Sequence, residues 1–185
     1  QDHSQHLGKA IEKSLFFVTY FVYPSVLGMV AIAPYVVSLV PNYQKWQVAL
    51  PLLYLFAIAS LASAISTTLT NALFATGRSK IVLNLMIFWP AATWGLTYPL
   101  VFKFGALGVA IASVLVAVTS LATIYFVKRQ IPISVGRNII GPFFISILMF
   151  FSVKAVASVL AQSIPGLILT IIIGAIIYFT ASLAI

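Results

Sequence analysis

No cysteine occurs among the 185 residues, so disulfides, thiolate metal sites and cysteine nucleophiles are all excluded. The compartment stays open on that ground alone. Acids are almost as scarce, with Asp2 and Glu12 the only two, both in the polar opening QDHSQHLGKAIEKS. Paired carboxylates for general-base or metal-assisted chemistry are therefore missing. So are a glycine-rich phosphate loop, an HExxH motif and any His/Asp cluster. His3 and His6 have no companions that would make a metal set, and both read as solvated. No catalytic residue, metal or cofactor is expected. Charged residues amount to 6% of the chain, against about 25% in a soluble domain. A water-facing surface cannot be covered with so few, so the outer surface must face lipid.

Hydrophobic residues supply 62% of the chain and the mean hydropathy is +1.14. Apolar spans fall at about 14–40, 48–76, 81–102, 106–127, 139–161 and 167–185. A hydrocarbon core of roughly 30 Å takes about 20 helical residues, which each span approximately meets. Backbone groups in lipid must be satisfied within the segment. Continuous runs such as ILTIIIGAII lack the alternation of a barrel strand. The expected fold class is all-α, a polytopic transmembrane bundle of six helices spanning 14–185, preceded by a polar leader at 1–13. The opening lacks the apolar core of a signal peptide. With Gln1 at the start and an apolar run at the end, the chain reads as part of a longer polypeptide.

The breaks are short and rich in turn residues: PNYQKWQ, GRSK, KFG, KRQIPISVGRN and QSIPG. Lys9, Lys13, Arg78, Lys80, Lys128, Arg129 and Arg137 fall on one side, Lys45 and Lys103 on the other. Seven against two, alternating in phase with the spans, places both ends of the chain in the cytoplasm. The same bias explains a net charge of +8 without nucleic acid, since no basic run with interleaved aromatics is present. Tyr43, Trp46, Tyr98 and Phe102 lie near span ends and suit interfacial belts. Trp89 and Trp94 lie deeper and read as packing residues.

Pro24, Pro34, Pro90 and Pro99 sit inside spans. Proline removes an intrahelical hydrogen bond and kinks a helix, which serves either packing or a hinge. Ala106, Ala110, Ser113, Ala117 and Ser120 recur at steps of four and three and form a small-residue seam for close helix packing. Ser60, Ser63, Thr67 and Asn71 repeat in the same way, with Thr68 and Thr70 beside them. A polar stripe in a helix this apolar should face the bundle interior or water. It either bonds between helices or lines a cavity. Lys154 is the one ionisable residue within a span and a functional candidate for that reason. It lies seven residues before Ala161, roughly 10 Å along the helix, so snorkelling toward that end is the other reading. Thr67, Asn71 and Lys154 are the candidate substrate-path residues.

Four stretches in order carry a family resemblance: AIAPYVVSLV, PNYQKWQVALPLLYLFAI, TNALFATGRSK and KFGALGVAIASVL. Within them stand Ala33-Pro34, Tyr43, Ala75 through Arg78, and Phe104-Gly105-Ala106 through Ala112-Ser113. This pattern, over about residues 24–120, resembles the C-terminal part of bacterial polysaccharide flippases of the O-antigen type. Those belong to the MOP superfamily and are relatives of MATE exporters. The resemblance implies one lobe of a two-lobed MATE/MOP-like transporter in the bacterial inner membrane, with the N-terminal lobe supplied by the same polypeptide. It further implies an undecaprenyl-pyrophosphate-linked oligosaccharide as the partner, moved by alternating access within the lipid bilayer. No invariant family signature transfers a substrate residue. A MATE-type cation exporter shares the architecture but favours acids in its cavity, and none lies in these spans. A non-transporting membrane subunit of a glycan-assembly complex is the other alternative.

Overall fold

The computed structural model describes residues 2–129 and 133–183, with side chains from residue 6 onward. The side chains of Asp2 and His3, the middle of the loop before the fifth span and the last two residues of the sixth lie outside the described residues. The chain runs α1 (Asp2–Leu39), a 3-10 segment (Gln44–Ala49), α2 (Leu50–Ala75), α3 (Ser79–Phe104), α4 (Ala106–Ser120), α5 (Ala122–Lys128), α6 (Val135–Leu160) and α7 (Ile164–Ser182). Six helical stretches among the described residues are long and apolar enough to cross a membrane, α4 and α5 together making one of them. No strand occurs among those residues. The protein is an all-α, multi-pass membrane bundle.

Two boundaries differ from the sequence reading. The polar leader is the first part of α1, because Leu7, Ile11 and Leu15 recur every fourth residue and face inward. Ile11 and Leu15 are buried, and Leu7 packs against them. The second span opens with the 3-10 segment rather than an α-helical turn.

The core fixes the direction of the helices. Ile11 of α1, Leu73 near the end of α2, Val82 near the start of α3, Val127 of α5 and Val135 at the start of α6 meet in one cluster. The helices therefore alternate, and this end of the bundle carries Lys9, Lys13, Arg78, Lys80, Lys128, Arg129 and Arg137. At the opposite end a smaller cluster joins only α1, α6 and α7, through Val36, Ala157, Ala161 and Leu167. There a groove of about 690 Å³ separates α1 from the 3-10 segment and the start of α2. The bundle is thus drawn together at the basic end and parted at the other.

Within this frame α1 packs on α6, α7 and α2, while α4 packs on α2 and α3. Close approach is set by absent side chains. A Cβ on Gly108 would collide with the carbonyl of Leu100 in α3, and one on Gly174 would lie 2.5 Å from Val153 Cγ2 of α6. The α4 seam is real at Ala110, Ala117 and Ser120, all buried, and extends to Gly108 and Ala112. Ala106, at its start, is exposed.

Two in-helix prolines have partners for the carbonyls they free. Pro24 cannot bond Tyr20 O, which instead accepts from Tyr178 Oη of α7 at 2.7 Å. Pro142 likewise frees Asn138 O, which lies 3.1 Å from Thr19 Oγ1 of α1, a hydroxyl whose one proton it shares with Leu15 O at 2.9 Å. Unpaired backbone groups in hydrocarbon cost several kcal/mol, so these contacts place hydroxyls where the need is greatest. Glu12 adds a third tie between α1 and α6, accepting from the backbone N–H of Ser134.

Candidate functional site

The polar stripe of α2 lies on a surface that the rest of the chain leaves open. Ser60, Ser63, Thr67 and Asn71 are all exposed, one helical face below Phe56 and above Phe74. The opposite face of the same helix carries Ala59, Ser66, Leu69, Thr70 and Leu73, all buried. Its polar members are satisfied locally. Thr70 Oγ1 donates to Ser66 O at 2.8 Å. Ser66 Oγ lies 3.2 Å from both Ser120 O and Thr123 Oγ1, at the Leu121 break between α4 and α5. Burial and hydrogen bonding thus divide α2 into a packed side and an open side.

The stripe feeds two separate hollows. Ser63 and Thr67 line a cleft of about 290 Å³ between α2, α3 and α4, with Trp89, Thr93, Ser113 and Ser120 among the other walls. Each of these lies near the middle of its span, so the cleft sits at mid-membrane depth. Thr68 and Asn71 line a second hollow of about 330 Å³ against Ser14 and Val18 of α1, nearer the basic end. Thr67 and Asn71 are therefore close along one helix but do not share a cavity.

Lys154 lies apart from both. It is exposed on α6, a helix that packs on α1 and α7. Its Nζ sits 5.9 Å from the centre of the Phe150 ring, one turn toward the α6 N-terminus. The side chain thus leans away from Ala161, the end toward which it would snorkel. At that distance a cation–π contact at an exposed site contributes about 0.5–1 kcal/mol. The three candidate substrate-path residues occupy three different places.

The hydroxyls of the first cleft divide by what they already bond. Thr93 Oγ1 donates to Trp89 O at 2.8 Å, Ser113 Oγ to Val109 O at 2.9 Å and Ser120 Oγ to Ala117 O at 2.7 Å. These keep lone pairs but have no proton to give. Ser63 and Thr67 make no side-chain hydrogen bond among the described residues. Trp89 Nε1 is shielded from solvent and is the buried side-chain polar atom without a partner there. No ionisable group lines the cleft.

Sequence reasoning placed Trp89 among packing residues and Ser113 and Ser120 in the seam, and did not single out Thr93. The available signal was depth: polar residues at the midpoints of three consecutive spans. A third hollow of about 360 Å³, between α1, α6 and α7, is lined mainly by apolar groups such as Phe21, Met29, Ile171 and Phe179. Comparison of the chain with family models, curated proteins and solved structures gives no match.

Proposed function

We propose that this chain is the C-terminal lobe of a flippase that carries a lipid-linked oligosaccharide across the bacterial inner membrane. The observation behind the reading is the open, polar face of α2. Four polar residues at helical spacing, through the middle of a span, would be costly toward lipid, and all four are exposed among the described residues. They suit one wall of a hydrophilic cavity whose other wall is a second lobe. The oligosaccharide travels in that cavity while its polyprenyl tail stays in the bilayer, and rocking of the lobes exposes the cavity to each side in turn.

Two further features support the reading. The basic end of the bundle faces the cytoplasm by the positive-inside bias, and there the larger core cluster holds the helices of this lobe together behind the open face. Apart from Glu12, near the basic end of α1, the spans hold no acid, which suits a neutral sugar and disfavours a cavity built for organic cations. Asn71, which lines a separate hollow at the basic end of the same stripe, and Lys154, on another helix, serve as secondary contacts for pyrophosphate or headgroup.

The test is complementation. The full-length gene is introduced into a strain deleted for its own polysaccharide flippase, and surface glycan is read on a gel. Restored glycan supports the reading. Unchanged glycan together with new resistance to a cationic dye would replace it with drug export.

A further inference from the structure

We propose that the cleft between α2, α3 and α4 is a subsite for a single neutral sugar ring, with Trp89 as its platform and Ser63 and Thr67 as its hydroxyl donors. The proposal rests on the flippase reading and places one sugar within this lobe rather than only between lobes.

Charge decides the class of ligand first. Nothing ionisable lines the cleft, so neither an organic cation nor a phosphate finds a counter-charge. A buried charge without one carries a desolvation penalty that hydroxyls alone would have to offset. The hydrogen-bond inventory narrows it further. Thr93, Ser113 and Ser120 have given their protons to backbone carbonyls and can only accept. Ser63 and Thr67 have no partner among the described residues and retain theirs. The lining therefore asks for a ligand that donates and accepts at neighbouring atoms, which is the pattern of vicinal hydroxyls. A metal cation would meet the oxygens but not the free protons.

Trp89 is the independent observation. Its Nε1 is cut off from solvent without an acceptor, although indole N–H groups usually find a partner when buried. A sugar oxygen against the edge of the ring, reached by a small turn of the side chain, supplies that partner. The apolar face of a pyranose packs on the indole face at the same time. Size agrees, because about 290 Å³ lies at the lower edge of small-molecule pockets, roughly 300–1,000 Å³. That is room for one sugar ring.

The test uses the full-length protein in detergent with Val116→Cys, on the cleft wall, as its sole cysteine. Ser25→Cys, exposed on α1, serves as the control. Maleimide labelling is followed with N-acetylglucosamine, then with sodium chloride. If the sugar binds here, at about ten times its Kd it slows labelling about tenfold, following 1 + [L]/Kd, and leaves the control unchanged. Trp89→Phe and the pair Ser63→Ala/Thr67→Ala each abolish that protection while the protein stays monodisperse. Equal slowing at both positions, no slowing at saturating sugar, or slowing by sodium alone overturns the proposal. Protection without complementation would sink the flippase reading and keep the cleft. Complementation without protection would do the reverse.

Discussion

The group α1, α6 and α7 and the group α2, α3 and α4 are both built of membrane-spanning apolar helices, yet they treat the same problem differently. In the first, Pro24 and Pro142 each have a hydroxyl from another helix at the carbonyl they free, while Pro34 frees Val30 O, which no side chain reaches among the described residues. In the second, Pro90 and Pro99 of α3 free the carbonyls of Met86 and Gly95, and no side chain reaches either among the described residues. Burial separates α3 from the rest: its most apolar stretch has no buried residue, while those of α6 and of α4 with α5 have 28% and 33% of theirs buried. Tyr178 and Glu12 join helices in the first group, and Ser66 does so in the second, where Ser63 and Thr67 are left facing a cleft. Under the proposed flippase reading, a stapled group beside a loosely covered one would give a rocking lobe one part that holds its shape and one whose surface meets cargo.

The comparison can be broken most forcefully at the close approaches. Gly108→Ala drives a methyl into the Leu100 carbonyl and should cost about 1–3 kcal/mol as overpacking. It would be read as a fall in the thermal midpoint in detergent. Gly95→Ala, with nothing within 4 Å of the added Cβ, should leave that midpoint unchanged or slightly higher.

Next in size is the staple. Tyr178→Phe should cost about 0.6 kcal/mol and at most about 1.7, the range for interhelical hydrogen bonds in membranes. In a Pro24→Ala background the backbone can bond Tyr20 O for itself, so the same substitution should cost less than half as much. Equal costs in the two backgrounds, measured by a double-mutant cycle, would show that the proline and the tyrosine are unrelated.

Smaller again is the effect of Thr93→Val. Its hydroxyl closes on its own helix at Trp89 O, so the thermal midpoint should stay within about 0.5 kcal/mol equivalents of the parent, as for substitutions away from shared networks. Lys154→Gln should be smaller still, since the ammonium is exposed and touches only the Phe150 ring. A large loss in either would give these residues packing roles that the geometry does not provide.

Much of the architecture could be read from the chain before any coordinates. Span positions follow from continuous apolar runs, and their alternation from the bases in the breaks. The seam at Ala110, Ala117 and Ser120 follows from helical spacing. What escaped depends on pairs far apart in sequence. Tyr178 reaches the backbone at Tyr20 across 158 residues, and no local pattern marks a hydroxyl as the answer to a particular proline. The leader escaped because Leu7 and Ile11 are diluted among polar residues, although their four-residue step continues into Leu15. The cleft escaped because Ser63, Trp89 and Ser113 belong to three helices, each legible alone as packing. Grouping Thr67, Asn71 and Lys154 needed the helix order around the bundle, which periodicity does not carry.

The central claim of the proposed function is that the open face of α2 meets water in the full-length protein. In a full-length protein otherwise free of cysteine, Ser63→Cys and Thr67→Cys are compared with Ile87→Cys and Phe88→Cys, exposed on apolar α3. All four are treated in native membranes with a charged, water-soluble maleimide. The account predicts labelling at Ser63→Cys and Thr67→Cys and none at the two α3 positions. Unlabelled α2 positions, or all four labelled alike, would contradict it.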